Sequence, residues 1–170
     1  MLSSATSPRL LQFLKIAENH PLLEGKTEAL RHPSPEGGLD TIGFGHKLTL
    51  AEVRAGKVYD IYLSDLDIDA AHRILEKDVR RHESLVRLNG YRNGYTYDNL
   101  DEVRAEMLVE MNFNVGDVYR KFPSFTKAVY ANDVDGMLAE YERSYLRSDG
   151  KRVLLEKRNR MFKETFLDNV

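Results

Sequence analysis

The sequence predicts an α+β fold, mostly helical, in which a long helix joins a small β-hairpin lobe to a helical lobe. Three observations carry this expectation. Apolar residues recur at helical spacing in stretches beginning near residues 8, 64 and 99. Between the first two, the short runs "TEALRH" and "TIGFGH" flank "PSPEGG", whose prolines and glycines are turn chemistry. No repeat, low-complexity tract or linker interrupts the chain, and 170 residues suffice for one domain whose core needs no disulfide or metal staple.

Taken in order, Ser7-Pro8 opens the first helix, with a hydroxyl to cap orphan N–H groups and proline at the first helical position. Leu10, Phe13, Leu14 and Ala17 form its buried stripe. Pro21 pushes His20 out of the α region, so the helix is expected to end near Glu18. In the hairpin, Gly43 and Gly45 alternate with Ile42 and Phe44. An extended strand there would present a face without side chains, open to a ligand's close approach.

"SDLDIDAAHRILEKDVRRHESLVRLN" then reads as one long helix, with Ala71, Ile74, Leu75, Val79, Leu85 and Val86 inward and Asn89-Gly90 as its C-cap. After the loop "YRNGYTYD", "NLDEVRAEMLVEMNFNVG" is a second strong helix. Leu100, Val103, Met107, Leu108 and Met111 face inward and Gly116 stops it. Two or three shorter helices are expected over "SFTKAVYANDVDGMLAEYERSYL" and "KRVLLEKRNRMFKETFL".

Composition narrows the function. Without cysteine, a disulfide framework, a thiolate zinc site and a cysteine nucleophile are excluded. The formal net charge of -2 argues against a general nucleic-acid binder. From Arg143 to Lys163, eight Lys/Arg stand against two Asp/Glu, a cationic face suited to attracting an anionic polymer. No stretch approaches the roughly 18 apolar residues needed to span a membrane. Arg9 and Lys15 interrupt "MLSSATSPRLLQFLKIAENH", which reads as mature protein without a secretory signal. Histidines 20, 32, 46, 72 and 82 show no shared ligand spacing, so no metal or cofactor is expected. His72 and His82 read as ordinary surface residues of helices.

A glutamate at the end of a helix, with a glycine-rich hairpin beyond it, is an arrangement that glycoside cleavage can use. A carboxyl group raised in pKa by partial burial protonates the leaving oxygen while positive charge builds at the sugar carbon. The order of segments strengthens this reading. Thr41-Ile42-Gly43-Phe44-Gly45-His46, "YDNLDEVR", Phe113-Asn114-Val115-Gly116 and the basic-hydrophobic C-terminal helix resemble the phage-type lysozymes of glycoside hydrolase family 24, over about residues 8 to 166.

The resemblance implies a single lysozyme-like domain over residues 1–170. Its hairpin lobe would span about 19–60, its connecting helix about 67–89, and its helical lobe about 95–166 together with the N-terminal helix 8–18. It implies hydrolysis of the β-1,4 bond between N-acetylmuramic acid and N-acetylglucosamine in bacterial peptidoglycan. The helix-one glutamate would be the general acid and Thr41 the residue that positions the attacking water. His46 would be structural, paired with Asp78 on the long helix. Gly43, Phe44, Asn114, Tyr145 and Arg147 are the expected glycan contacts, with a helix-capping role for Asn114 as its competitor.

This chain departs from the family between the glutamate and Thr41, where the pattern has Glu-Gly and, about nine residues on, an aspartate. Glu18 ends the first helix, but the segment after it is longer than the family's. Glu24 is followed by Gly25 and has the better spacing, although Pro21 disfavours a helix before it. Glu18 is preferred, because rigid backbone presents an acid better than a loop does. The aspartate's place falls on Pro35, or near His32 if the hairpin tip holds the extra residues; Glu36 and Asp40 are the nearby carboxylates. Lytic transglycosylation, which needs one acid, and a non-catalytic virion or glycan-binding protein of the same fold are the alternatives. The expected setting is a monomer without stable membrane insertion. It would be held in the host cytoplasm until a membrane pore releases it, or carried with the virion.

Overall fold

The structure, a computed structural model, describes residues 7–34 and 37–170. Pro35 and Glu36, two of the expected positions for the second acid, lie outside the described residues, as do the first six residues of the segment read as lacking a leader. Helix α1 (Pro8–Leu23) starts as expected. The Ser7 hydroxyl accepts the Leu10 amide at 3.3 Å, and Leu10, Phe13 and Leu14 are buried.

The first helical segment ends at Glu18, as expected ahead of Pro21. Helical geometry breaks at Asn19 (φ -155°, ψ 71°) and resumes through His20–Leu23. Asn19 caps the second segment, its Oδ1 accepting from the Leu22 amide at 3.3 Å. Pro21 therefore stands in a first turn, where a missing N–H costs no intrahelical bond. The expectation that proline disfavours a helix before Glu24 is corrected accordingly: a short segment, His20–Leu23, precedes Glu24, and Asn19 caps it.

A 3-10 turn at Thr27–Ala29 leads into an antiparallel sheet of β1 (Arg31–His32), β2 (Thr41–Ile42) and β3 (His46–Lys47), in that order. His32 pairs with Thr41, and Ile42 with both Arg31 and His46. The expected glycine-alternating strand is instead a tight turn between β2 and β3. Gly43 (φ 55°) and Gly45 (φ 91°) lie in the left-handed region that only glycine enters freely. Thr49 and Glu52 form a capping box on α2 (Leu50–Ala55), followed by the hairpin of β4 (Lys57–Val58) and β5 (Ile61–Tyr62). Ile42, Leu48, Val58, Ile61, Ala70 and Ile74 pack together as the core of this part of the chain.

Helix α3 (Ile68–Arg92) runs through Asn89-Gly90, the expected stop. The stop is the next Asn-Gly: the Asn93 amide and side chain both reach the Asn89 carbonyl, and Gly94 takes φ 80°. Gly90 serves packing. A Cβ there would lie 2.6 Å from the Tyr119 hydroxyl and 3.1 Å from that of Tyr130, which bond each other at 2.8 Å. Asp101 caps α4 (Glu102–Val115), which ends at Gly116, as expected.

Three short helices follow: α5 (Val118–Lys121), α6 (Pro123–Ala131) and α7 (Val134–Glu140). The next stretch, expected to be helical, is a hairpin of β6 (Ser144–Leu146) and β7 (Arg152–Leu154), turning at Asp149-Gly150, and α8 (Glu156–Thr165) closes the chain. Phe125, Phe162 and Phe166 are fully buried and their rings pack in sequence, with centroids 6.0 and 5.1 Å apart. Among the described residues, those from Ser7 to Arg81 form one compact unit, α1 included, and those from His82 onward another.

Replacing Gly90 with alanine should destabilise the protein by about 1–3 kcal/mol in urea unfolding, as overpacking does. An unencumbered helix would instead gain about 1 kcal/mol from the same change, so a stabilised variant would refute the packing role of the tyrosine hydroxyls.

Candidate active site

The first helical segment delivers Glu18 to the turn between β2 and β3. A Cβ on Gly45 would lie 2.9 Å from Glu18 Oε2 and 3.2 Å from its carboxyl carbon. The carboxyl group therefore rests on the turn where a side chain would otherwise be. Gly43 has a different neighbour, since a Cβ there would meet the Ala71 methyl at 3.1 Å. Its missing side chain admits α3, not a ligand. Glu24 stands apart: half exposed, it approaches Lys26 Nζ at 3.4 Å and His20 Nδ1 at 3.8 Å.

Cross-strand partners share a face of a sheet, so His32, Thr41 and Lys47 lie on one face and Arg31, Ile42 and His46 on the other. Thr41 is buried at 8% exposure, with His32 half-buried beside it. The His32 Nδ1 lies 3.2 Å from the Pro33 carbonyl; as donor in that bond it leaves Nε2 the lone pair of the neutral ring. Asp40 gives its carboxylate to Arg31 at 2.7 Å. Phe44, an expected glycan contact, is buried with its ring 5.0 Å from that of His72, which leaves only its backbone for a glycan. Neither His72 nor His82 is the plain surface residue expected. Burial, reinforced by the Lys15 ammonium, lowers the His72 pKa, and His82 Nδ1 meets the Asn112 amide at 2.9 Å.

Behind the turn sits an ion cluster. His46 directs Nδ1 at both Asp78 oxygens, at 3.0 and 2.9 Å, and Nε2 at Glu52 Oε1, at 3.2 Å. Burial works to lower the imidazole pKa, but the hydrogen bond and charge of Asp78, with Glu52 behind them, outweigh it and raise it. Burial works to raise Glu52, but its bonds from Thr49, with His46 behind them, leave it lowered. Asp78 also accepts from the Tyr59 hydroxyl at 2.5 Å. The expected pairing of His46 with Asp78 is thus present, and Tyr59 and Glu52 are its unforeseen partners. Among the described residues no group of three His, Cys, Asp or Glu is placed to hold a metal ion.

Residues 23–161 match the sequence model of the phage lysozyme family. The chain belongs to that family. It is therefore a glycosidase that hydrolyses the β-1,4 glycan of peptidoglycan and acts on the cell wall. The matched residues include Glu24, Thr41 and Asn114 but begin beyond Glu18. The fold resembles that of the endolysin from Escherichia coli O157:H7 phage FAHEc1, with a TM-score of 0.63 and 20% identity over 100% of this chain and 96% of that one. No curated protein matches the sequence. Among the described residues no helix is long and apolar enough to cross a membrane.

In the helical unit of this lysozyme, Asn114 Oδ1 accepts from Arg143 Nη1 at 3.3 Å, while the neighbouring Asn112 Oδ1 accepts the Val118 amide at 3.3 Å. Asn112, not Asn114, bonds the backbone beyond the helix. Arg143, counted in the cationic face, is buried and bonds Glu110 at 2.8 and 3.0 Å, and Arg158 meets the same carboxylate at 2.8 Å. Burial works to raise the Glu110 pKa, but the two guanidinium groups lower it. Tyr145 and Arg147, on and beside β6, are exposed, with Arg147 3.2 Å from Asp149.

The ion cluster sets a pH window. His46, raised in the folded state, contributes its full stability below about pH 6.5 and loses it as pH rises through the folded value. Glu52, lowered, contributes above about pH 4.5 and loses it as pH falls through the folded value. Urea midpoints across pH should therefore be highest between these limits. Asp78→Asn should cost about 3 kcal/mol and flatten the alkaline limb while the remaining folded enzyme stays active. A fully stable Asp78→Asn protein without activity would contradict the structural role.

Proposed function

We propose that Glu18 is the proton donor of this hydrolysis, that Thr41 positions the water, and that His32 accepts the water's proton. The observation that carries the reading is the contact of the Glu18 carboxyl with Gly45, inside the Thr41–His46 block. Glu24 instead pairs with Lys26 and His20 at the surface.

The protonated Glu18 gives its proton to the glycosidic oxygen as the bond from that oxygen to the sugar carbon breaks. Water held by the Thr41 hydroxyl supplies its oxygen to the same carbon, and its proton passes to His32 Nε2. Solvent then returns a proton to Glu18 and takes one from His32. Three facts favour His32 as the acceptor. It stands opposite Thr41, its Nδ1 contact with Pro33 leaves Nε2 free to accept, and Asp40 is engaged by Arg31. The enzyme works as a monomer, stored in the host cytoplasm until a pore opens.

Clearing of purified cell walls tests the assignment. Glu18→Gln should lower kcat by roughly 10²–10⁴-fold, whereas Glu24→Gln should leave it near the parent value. An active Glu18→Gln enzyme would overturn the reading. His32→Ala should reduce kcat at least 10-fold with KM little changed, and an undiminished kcat would return the water's proton to another group.

A further inference from the structure

Asn19 follows Glu18, the proposed acid, in the chain. Its side chain is buried at 7% exposure and its hydrogen bonds are well defined. Nδ2 donates to the Ala29 carbonyl at 2.9 Å and to the Gly43 carbonyl at 2.8 Å, which uses both of its protons. Oδ1 accepts the Leu22 amide at 3.3 Å. These three partners also determine which way the amide faces, because the flipped group would set N–H against N–H and oxygen against two carbonyls.

One amide thus joins the end of the first helical segment, the start of the second, the 3-10 turn and the glycine turn. Glu18 is its immediate neighbour in the chain. Gly45, on which the Glu18 carboxyl rests, lies two residues beyond the Gly43 carbonyl that Asn19 holds. We infer that Asn19 is a positioning residue of the reaction, and that its clamp on Gly43 and Ala29 sets the place of the Glu18 carboxyl on the Gly45 turn. The inference rests on Glu18 being the acid.

A glycine at this position would carry no such clamp. Here the asparagine supplies the fixed relation between acid and turn, and small displacements of a catalytic group are expensive: about 1 Å costs on the order of 10²-fold in rate. Asn19→Ser is the first variant. Its hydroxyl retains an acceptor for the Leu22 amide but cannot reach both carbonyls. Asn19→Asp is the second, keeping the shape and the cap while removing both donors.

Both variants should retain the parent KM on soluble peptidoglycan fragments and lose roughly 10–100-fold in kcat, measured well below their unfolding temperatures. The decisive comparison is the Glu18→Gln background, where Asn19→Ser should cause no further loss of the residual turnover, because the group it positions is gone. An equal proportional loss in both backgrounds, or a parent kcat in both single variants, overturns the positioning role. An active Glu18→Gln enzyme instead overturns the choice of acid, so the two failures are distinguishable.

Discussion

The site depends on the space left by the side chain that Gly45 lacks. Two demands meet at that residue. The backbone takes φ 91° to bring β2 round into β3, and the Glu18 carboxyl occupies the volume a Cβ would need. Gly43 meets the same backbone demand, but the volume it vacates goes to Ala71 of α3. The turn is therefore an assembly point: one glycine receives the end of the first helical segment, the other receives α3. A bulkier residue at either place would move a helix as well as the turn.

The ion cluster behind the turn fixes the elements that hold it. His46 sits on β3, Glu52 in the first turn of α2, Asp78 on α3 and Tyr59 in the β4–β5 turn. Burying an imidazolium between carboxylates carries a desolvation cost that the ion pairs only partly repay, so such clusters specify arrangement more than they add stability. Tyr59 illustrates the point. It adopts φ 54°, an unfavourable value for a bulky side chain, and its hydroxyl bond to Asp78 and ring contact with His46 hold it there.

Much of this architecture was legible because periodicity and turn chemistry are local. Ser7-Pro8, the stripe of α1, the Gly116 end of α4 and the antiparallel pairing of β1 with β2 all follow from neighbours within a few residues. The errors fall where a distant partner decided. Two Asn-Gly pairs stand four residues apart; α3 passes the first, whose Gly90 packs against the Tyr119 and Tyr130 hydroxyls, and ends at the second. The first segment ends where expected, but the second, His20–Leu23, was unforeseen, and the Asn19 that caps it also bonds Ala29 and Gly43, 10 and 24 residues away. The β6–β7 hairpin carried a local signal, Asp149-Gly150, which the surrounding helical spacing outweighed. In the site, the resemblance indicated Thr41 and the His46–Asp78 pair. It offered no guide to Asn19, which lies outside the residues matched to the family.

The cationic C-terminal stretch shows the same limit for charge. Eight basic residues lie between Arg143 and Lys163, but a count does not say which of them reach solvent. Arg143 and Arg158 turn inward to Glu110, and Arg143 also lies with its guanidinium carbon 4.9 Å from the centre of the Phe162 ring. Lys163 pairs with Asp168 and Arg147 with Asp149. The charge available to an anionic envelope therefore resides mainly in Lys151, Arg152, Lys157 and Arg160, which are exposed and have no acidic partner among the described residues. Charges so placed act over about 8 Å at physiological salt. Only these would act on an anionic polymer in solvent, while the buried arginines join α4 to α8 and bond Asn114. One run of basic sequence thus divides into solvent-exposed and packed charges, and burial decides which residue is which.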